Sequence, residues 1–90
     1  MPRKRKIEDE AGPPSRWNTV VGDNIRYHRR RQSLTQQELS TAAGVDLRYL
    51  GSIERGEGNP SVALLGKLAE VLKVHPSELL HDGVQPDLDS

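Results

Sequence analysis

The stretch TQQELSTAAGVD, residues 35–46, leaves its own backbone few options. Thr35 and Glu38 stand three residues apart at the head of a run, the spacing of a capping box in which each side chain bonds the other's backbone N–H. Gly44 follows where a helix ends most easily, because glycine adopts positive φ without a Cβ penalty. Asp46 is placed to cap whatever comes next. Two short helices are predicted, about Gln36–Ala43 and Leu47–Arg55, joined by a turn too tight to keep them apart. Ala43 is small where the two must cross. Val45, Leu50 and Ile53 are spaced to face inward, which turns Asp46, Leu47, Arg48, Tyr49 and Ser52 outward.

Three further helices complete the pattern. About Thr19–Arg31 carries Val21, Ile25 and His28 at i, i+4, i+7 spacing. About Val62–Leu72, capped by Ser61, has the apolar stripe Leu64, Leu65, Leu68, Ala69 and Leu72. A short fifth helix, about Pro76–Leu80, starts on proline. No strand pattern or repeat is present. The expectation is an all-α, five-helix domain over residues 17–81, with a helix-turn-helix at its centre. Residues 1–16 read as a disordered basic and acidic arm, and residues 82–90 as an acidic flexible tail.

Composition restricts the rest. Ninety residues with no phenylalanine and three aromatics must build their core from Leu, Val, Ile and Ala. A domain this small buries only about 60% of its unfolded surface, so self-association would help it. Without cysteine there is no disulfide framework and no thiolate metal site. No apolar run is long enough to span a bilayer and no signal peptide is recognisable. The net charge of zero conceals a gradient: residues 17–56 carry six basic and four acidic side chains, residues 57–90 two and six. A neutral chain can still present a basic face. His75, Glu78 and His81 have a metal-like spacing but spread too far around a helix to converge. No phosphate loop, catalytic triad or cofactor fingerprint is found. The chain is read as a non-enzyme with no cofactor, metal or small-molecule ligand.

Several short motifs, in this order and spacing, carry a resemblance. Gly22-x-x-Ile25-Arg26, Leu34-Thr35-Gln36-x-Glu38-Leu39, Gly44-Val45, Ile53-Glu54-Arg55-Gly56, Asn59-Pro60-Ser61 and Leu79-Leu80 together resemble the Cro/phage-repressor (XRE) helix-turn-helix family, over about Val21 to Leu80. Within it, DLRYLGSIERGEGNPS is most similar to the small controller proteins of restriction–modification systems. Leu47 and Gly58 depart from that subgroup, which commonly has arginine at both positions.

The resemblance implies that the Leu47–Arg55 helix enters a DNA major groove. Arg48 is the favoured base contact, since arginine can donate two bonds to guanine O6 and N7; the alternative is a solvated arginine. Tyr49 and Ser52 are candidates for bases or phosphates, with packing on the neighbouring helix as the other reading of Tyr49. Asp46 is a cap first and an acceptor for a cytosine amino group second. The resemblance gives Gln36 a phosphate contact at a helix N-terminus. Asn59 meets DNA backbone or merely turns the chain before Pro60. Arg29 and Glu54 match a structural pair that joins the first and third helices. His28 stands where the family usually has leucine; it is read as a core histidine, either neutral and hydrogen-bonded or a source of acid sensitivity. Gly51, inside a helix where glycine costs about 1 kcal/mol against alanine, either admits another backbone or is a neutral small position.

The function expected is a sequence-specific DNA-binding transcriptional regulator in the cytoplasm, on the bacterial nucleoid. It would bind double-stranded DNA as a homodimer on a pseudo-palindromic operator, with recognition helices about 34 Å apart. Control of a restriction–modification operon is the narrower reading. Leu72, Val74, Leu79 and Leu80 are the expected dimer surface. With no second domain to sense a metabolite, regulation would follow protein concentration or a protein partner. The PRKRK segment, residues 2–6, is a groove-following arm, a nuclear-localisation-like signal or a solubilising tail. The alternative function is a protein-interaction module of antitoxin or coactivator-bridging type.

Overall fold

A computed structural model describes residues 15–83, so the PRKRK segment and most of the arm and tail expectations lie outside the described residues. Among the described residues, four α-helices follow one another: α1 Arg16–Arg31, α2 Gln36–Ala43, α3 Leu47–Glu54 and α4 Val62–Leu72. The fifth element, Pro76–Leu80, is a 3-10 helix rather than an α-helix. No strand occurs among the described residues. No described helix is long and apolar enough to cross a membrane.

The starts of α2, α3 and α4 rest on the caps that their sequences announce. The Glu38 N–H donates to Thr35 Oγ1 at 3.0 Å, and the Thr35 N–H donates to Glu38 Oε1 at 2.8 Å. The Tyr49 N–H donates to Asp46 Oδ2 at 3.2 Å, and the Leu64 N–H to Ser61 Oγ at 3.0 Å. Each such cap contributes about 1 kcal/mol. The first helix begins three residues before the expected Thr19, because Ser15 and Asn18 form a second capping box: the Ser15 N–H donates to Asn18 Oδ1 at 2.8 Å. Its last turn carries His28, Arg29, Arg30 and Arg31, which suits the negative end of a helix dipole.

The core draws Val21 and Ile25 from α1, Leu39 and Ala43 from α2, and Leu50 and Ile53 from α3. Leu68, Ala69 and Leu72 of α4 and Leu79 of the 3-10 helix complete it. Full burial of each large aliphatic side chain stabilises by about 1.5–3 kcal/mol. Leu72 and Leu79, expected at a dimer surface, are instead fully buried in their own chain. The physical reason is volume: without phenylalanine, one small core takes up Leu68 and Leu72 of α4 and Leu79 of the 3-10 helix. Val74 packs half-buried against this core. What these elements leave to solvent is Leu80, 48% exposed, and Val62, 85% exposed.

Long polar side chains tie the periphery down. Asn24 Nδ2 donates to Leu79 O at 3.0 Å and His81 O at 2.9 Å, fastening the 3-10 helix to α1. Gln32 Nε2 donates to Leu72 O at 3.2 Å, at the end of α4. His28 is buried beside them. Its Nε2 is enclosed without a hydrogen-bond partner among the described residues, 4.0 Å from Glu78 Oε1. The hydrogen-bonded reading thus fails at that atom. Burial lowers the imidazole pKa below its ordinary 6.5, Glu78 opposes the shift, and Arg31 adds to it.

Candidate nucleic-acid interface

The placement of α3 starts at the turn before it. Gly44 has φ +71°, and the Val45 N–H reaches back to Ser40 O at 2.9 Å. That closes α2 and redirects the chain within two residues. Ala43 is buried at the crossing, and Leu50 and Ile53 drive the inner face of α3 into the core.

Glu54 locks this arrangement. Its side chain is only 2% exposed and faces Arg29 at 13%. Arg29 Nε donates to Glu54 Oε2 at 2.7 Å and Arg29 Nη2 to Oε1 at 3.0 Å, a bidentate pair. Arg29 Nη1 also holds Leu34 O at 3.0 Å, just before α2. Gln36 Nε2 donates to Glu54 Oε1 at 3.0 Å, and Arg26 Nη1 donates to the Glu54 backbone carbonyl at 2.7 Å. One carboxylate therefore fixes α1, α2 and α3 together. Removing either partner of a buried pair like this costs about 3–5 kcal/mol.

Gln36 thus has a partner within the chain that spacing did not reveal, since it lies 18 residues from Glu54. In the sequence, Arg26 stands out only as part of a motif, and Asn18 does not stand out. The signal for both was weak: a polar side chain on a helix face otherwise turned toward the core.

On the outer face, Asp46 and Arg48 are exposed, with Leu47 at 38% and Tyr49 at 37%. Arg48 has no hydrogen-bond or ion-pair partner among the described residues. Ser52 is half-buried, and its hydroxyl donates to Tyr49 O at 2.7 Å. The third helix ends at Glu54, one residue short of expectation, with Arg55 as its cap. Gly56, at φ +82°, then reverses the chain toward Asn59, which is exposed. Asp46, Leu47, Arg48, Tyr49 and Asn59 are therefore each accessible to solvent. Gln36 lies half-buried at the head of α2. Arg29 and Glu54 lie behind it, in the joint. Around His75, the local chemistry is structural: its Nδ1 accepts from the Ser77 N–H at 3.1 Å and starts the 3-10 helix.

Residues 25–79 match the helix-turn-helix family. An HTH-type transcriptional regulator of Sinorhizobium fredii, y4dJ, is 43% identical over 61 residues, 68% of this chain and 79% of that protein. The chain spans 64% and 56% of the length of two further curated relatives. Among solved structures, the restriction–modification controller protein C.AhdI of Aeromonas hydrophila superposes with a TM-score of 0.67. It is 35% identical, covering 69% of this chain and 94% of that one. SinR, described as a master regulator for biofilm formation and solved in complex with DNA, superposes with a TM-score of 0.65. It is 39% identical, covering 68% of this chain and 98% of that one.

Proposed function

Because the chain belongs to the helix-turn-helix family, in its Cro/phage-repressor branch, we propose that it is a sequence-specific DNA-binding transcriptional regulator. The narrower reading is a homodimer on a pseudo-palindromic operator, controlling a restriction–modification operon from the cytoplasm. The observation that carries it is Arg48, an exposed cation with no protein partner among the described residues, in the first turn of a helix whose last residue, Glu54, is locked in the core. A rigid element presenting an unsatisfied guanidinium at its N-terminal end is what major-groove readout requires. Tyr49 and Leu47 flank it, and Asp46 orients the helix through its cap while retaining one carboxylate oxygen for a base amino group. Gln36 and Asn59 are assigned to phosphates, Gln36 keeping a second amide hydrogen beside its bond to Glu54. Ser52 is assigned a lesser role, since its hydroxyl already bonds within the helix.

The exposed Leu47 and Tyr49 give the first turn of α3 an apolar part, which favours a second reading: a protein-interaction module of antitoxin or coactivator-bridging type. Selection from a random-sequence duplex library, followed by titration at several salt concentrations, separates the two. The first reading expects saturable binding that weakens steeply as salt rises. Arg48→Ala is expected to lose about 1–3 kcal/mol of discrimination at one base pair of each half-site. An equal loss on every sequence would move Arg48 to a phosphate, and no saturable duplex binding would leave the protein-interaction reading in its place.

A further inference from the structure

We propose that Asn18 is a positioning residue for DNA binding, resting on the DNA-binding reading above: its amide holds the loop that presents Asn59. Asn18 uses both ends of its side chain. Its Oδ1 accepts from the Ser15 N–H at 2.8 Å and from the Ser15 hydroxyl at 3.0 Å, which starts α1. Its Nδ2 donates to Gly58 O at 2.6 Å, across 40 residues of chain.

The loop is gripped from the other side as well. The N–H groups of Glu57 and Gly58 both donate to Ser52 O, at 2.9 and 3.2 Å. Gly58 therefore gives its N–H to α3 and its carbonyl to α1, so its orientation is set by both helices. The fit leaves no room for a side chain. A Cβ at Gly58 would lie 2.7 Å from Ile53 Cγ1 and 3.1 Å from Ser52 Oγ, and one at Gly56 would lie 3.0 Å from Thr19 Oγ1. Asn59 is the next residue and is exposed, with no hydrogen-bond partner among the described residues. A loop ordered during folding does not have to be ordered again on binding, which strengthens whatever contact it makes. A contact that goes to phosphate adds affinity without reading sequence.

Two substitutions test this. Asn18→Asp keeps an acceptor for the Ser15 N–H and suits a helix N-terminus, but it replaces the donor to Gly58 O. Asn18→Ala removes the same donor without adding charge. In the protein alone, both should speed amide exchange at Glu57 and Gly58 by about tenfold, with Leu50 and Leu68 unchanged. On the duplex that the wild type selects, both should bind about five- to tenfold more weakly, by the same factor on matched and mismatched sequences. In the double variant Asn18→Asp, Asn59→Ala, the loss caused by Asn59→Ala alone should vanish, as it does for residues acting in series. Unchanged exchange at Glu57 and Gly58 overturns the proposal. So do losses that multiply independently, which would make Asn18 a cap and nothing more. A wild-type protein that binds no duplex overturns the DNA-binding reading and this proposal with it, whereas the exchange result still reports on the clamp alone.

Discussion

Gly22 and Gly51 sit on facing helices, both buried, both inside helical runs where glycine is a poor choice. A Cβ at Gly22 would fall 2.4 Å from Ile53 O and 2.9 Å from Glu54 O. Added at Gly51, it would meet one flexible neighbour, Arg55 Nη1, at 3.4 Å. The first glycine is demanded by the chain's own packing, because α1 and the end of α3 touch backbone to backbone. Nothing among the described residues demands the second. The pair separates two sides of α3: one pressed backbone to backbone against α1, the other met only by the flexible Arg55 side chain.

Gly22→Ala probes the joint and should have the largest effect. Alanine improves helix propensity by about 1 kcal/mol, so propensity alone would stabilise. Against that, two backbone oxygens must retreat, and overpacking of a rigid contact costs about 3 kcal/mol. Retreat of α3 would also stretch the Arg29–Glu54 pair. A net loss of about 2 kcal/mol is expected, lowering the midpoint of thermal unfolding by roughly 8–16 °C for a domain of this size. Calorimetry of the two proteins decides it, and a midpoint that rises would mean the helices separate freely and the joint is not rigid.

That contact also marks the boundary of what the sequence revealed. Caps at Thr35, Asp46 and Ser61 were legible because each is a bond between residues three apart, and the αL turn at Gly44 because only local sterics matter there. The Ser15–Asn18 box has the same spacing but a weaker signature, because Asn18 is shorter than the Glu or Gln usual at that position. Gly22 against Ile53, Gln36 against Glu54 and Asn18 against Gly58 join distant segments, so no periodicity encodes them. The apolar stripe of α4 showed which face is buried but not what buries it. Leu72 and Leu79 fill their own core, which only the packing of α4 and the 3-10 helix reveals.

His28 tests the last turns of α1, where a buried ring nitrogen has no partner among the described residues. Its imidazole is enclosed beside Glu78 with Nε2 unsatisfied, and burial holds its pKa below 6.5. The unfolded chain therefore binds a proton first as pH falls. Stability is full above about pH 6.5 and declines as pH drops from there through the lowered folded-state value. The decline should be smaller than the Gly22→Ala effect, because a single group titrates and the Glu78 carboxylate offsets part of the desolvation. His28→Leu should remove that component. The measurement is the unfolding midpoint of both proteins between pH 8 and 5: parallel curves would show that His28 contributes nothing to acid sensitivity.

Gly51→Ala should change least, and in the opposite direction to Gly22→Ala. With only the Arg55 guanidinium to displace, the substitution should stabilise by about 0.5–1 kcal/mol through helix propensity and a less flexible unfolded chain. Its effect on duplex binding carries the information. If Gly51 is a neutral small position, the more stable protein binds the selected duplex as the wild type does. If a DNA or partner backbone approaches within van der Waals reach of this helix, the added methyl group weakens that complex while the isolated domain gains stability. A gain in both would refute close approach. A loss in both would show that Arg55 cannot move aside, and would place Gly51 in the joint with Gly22.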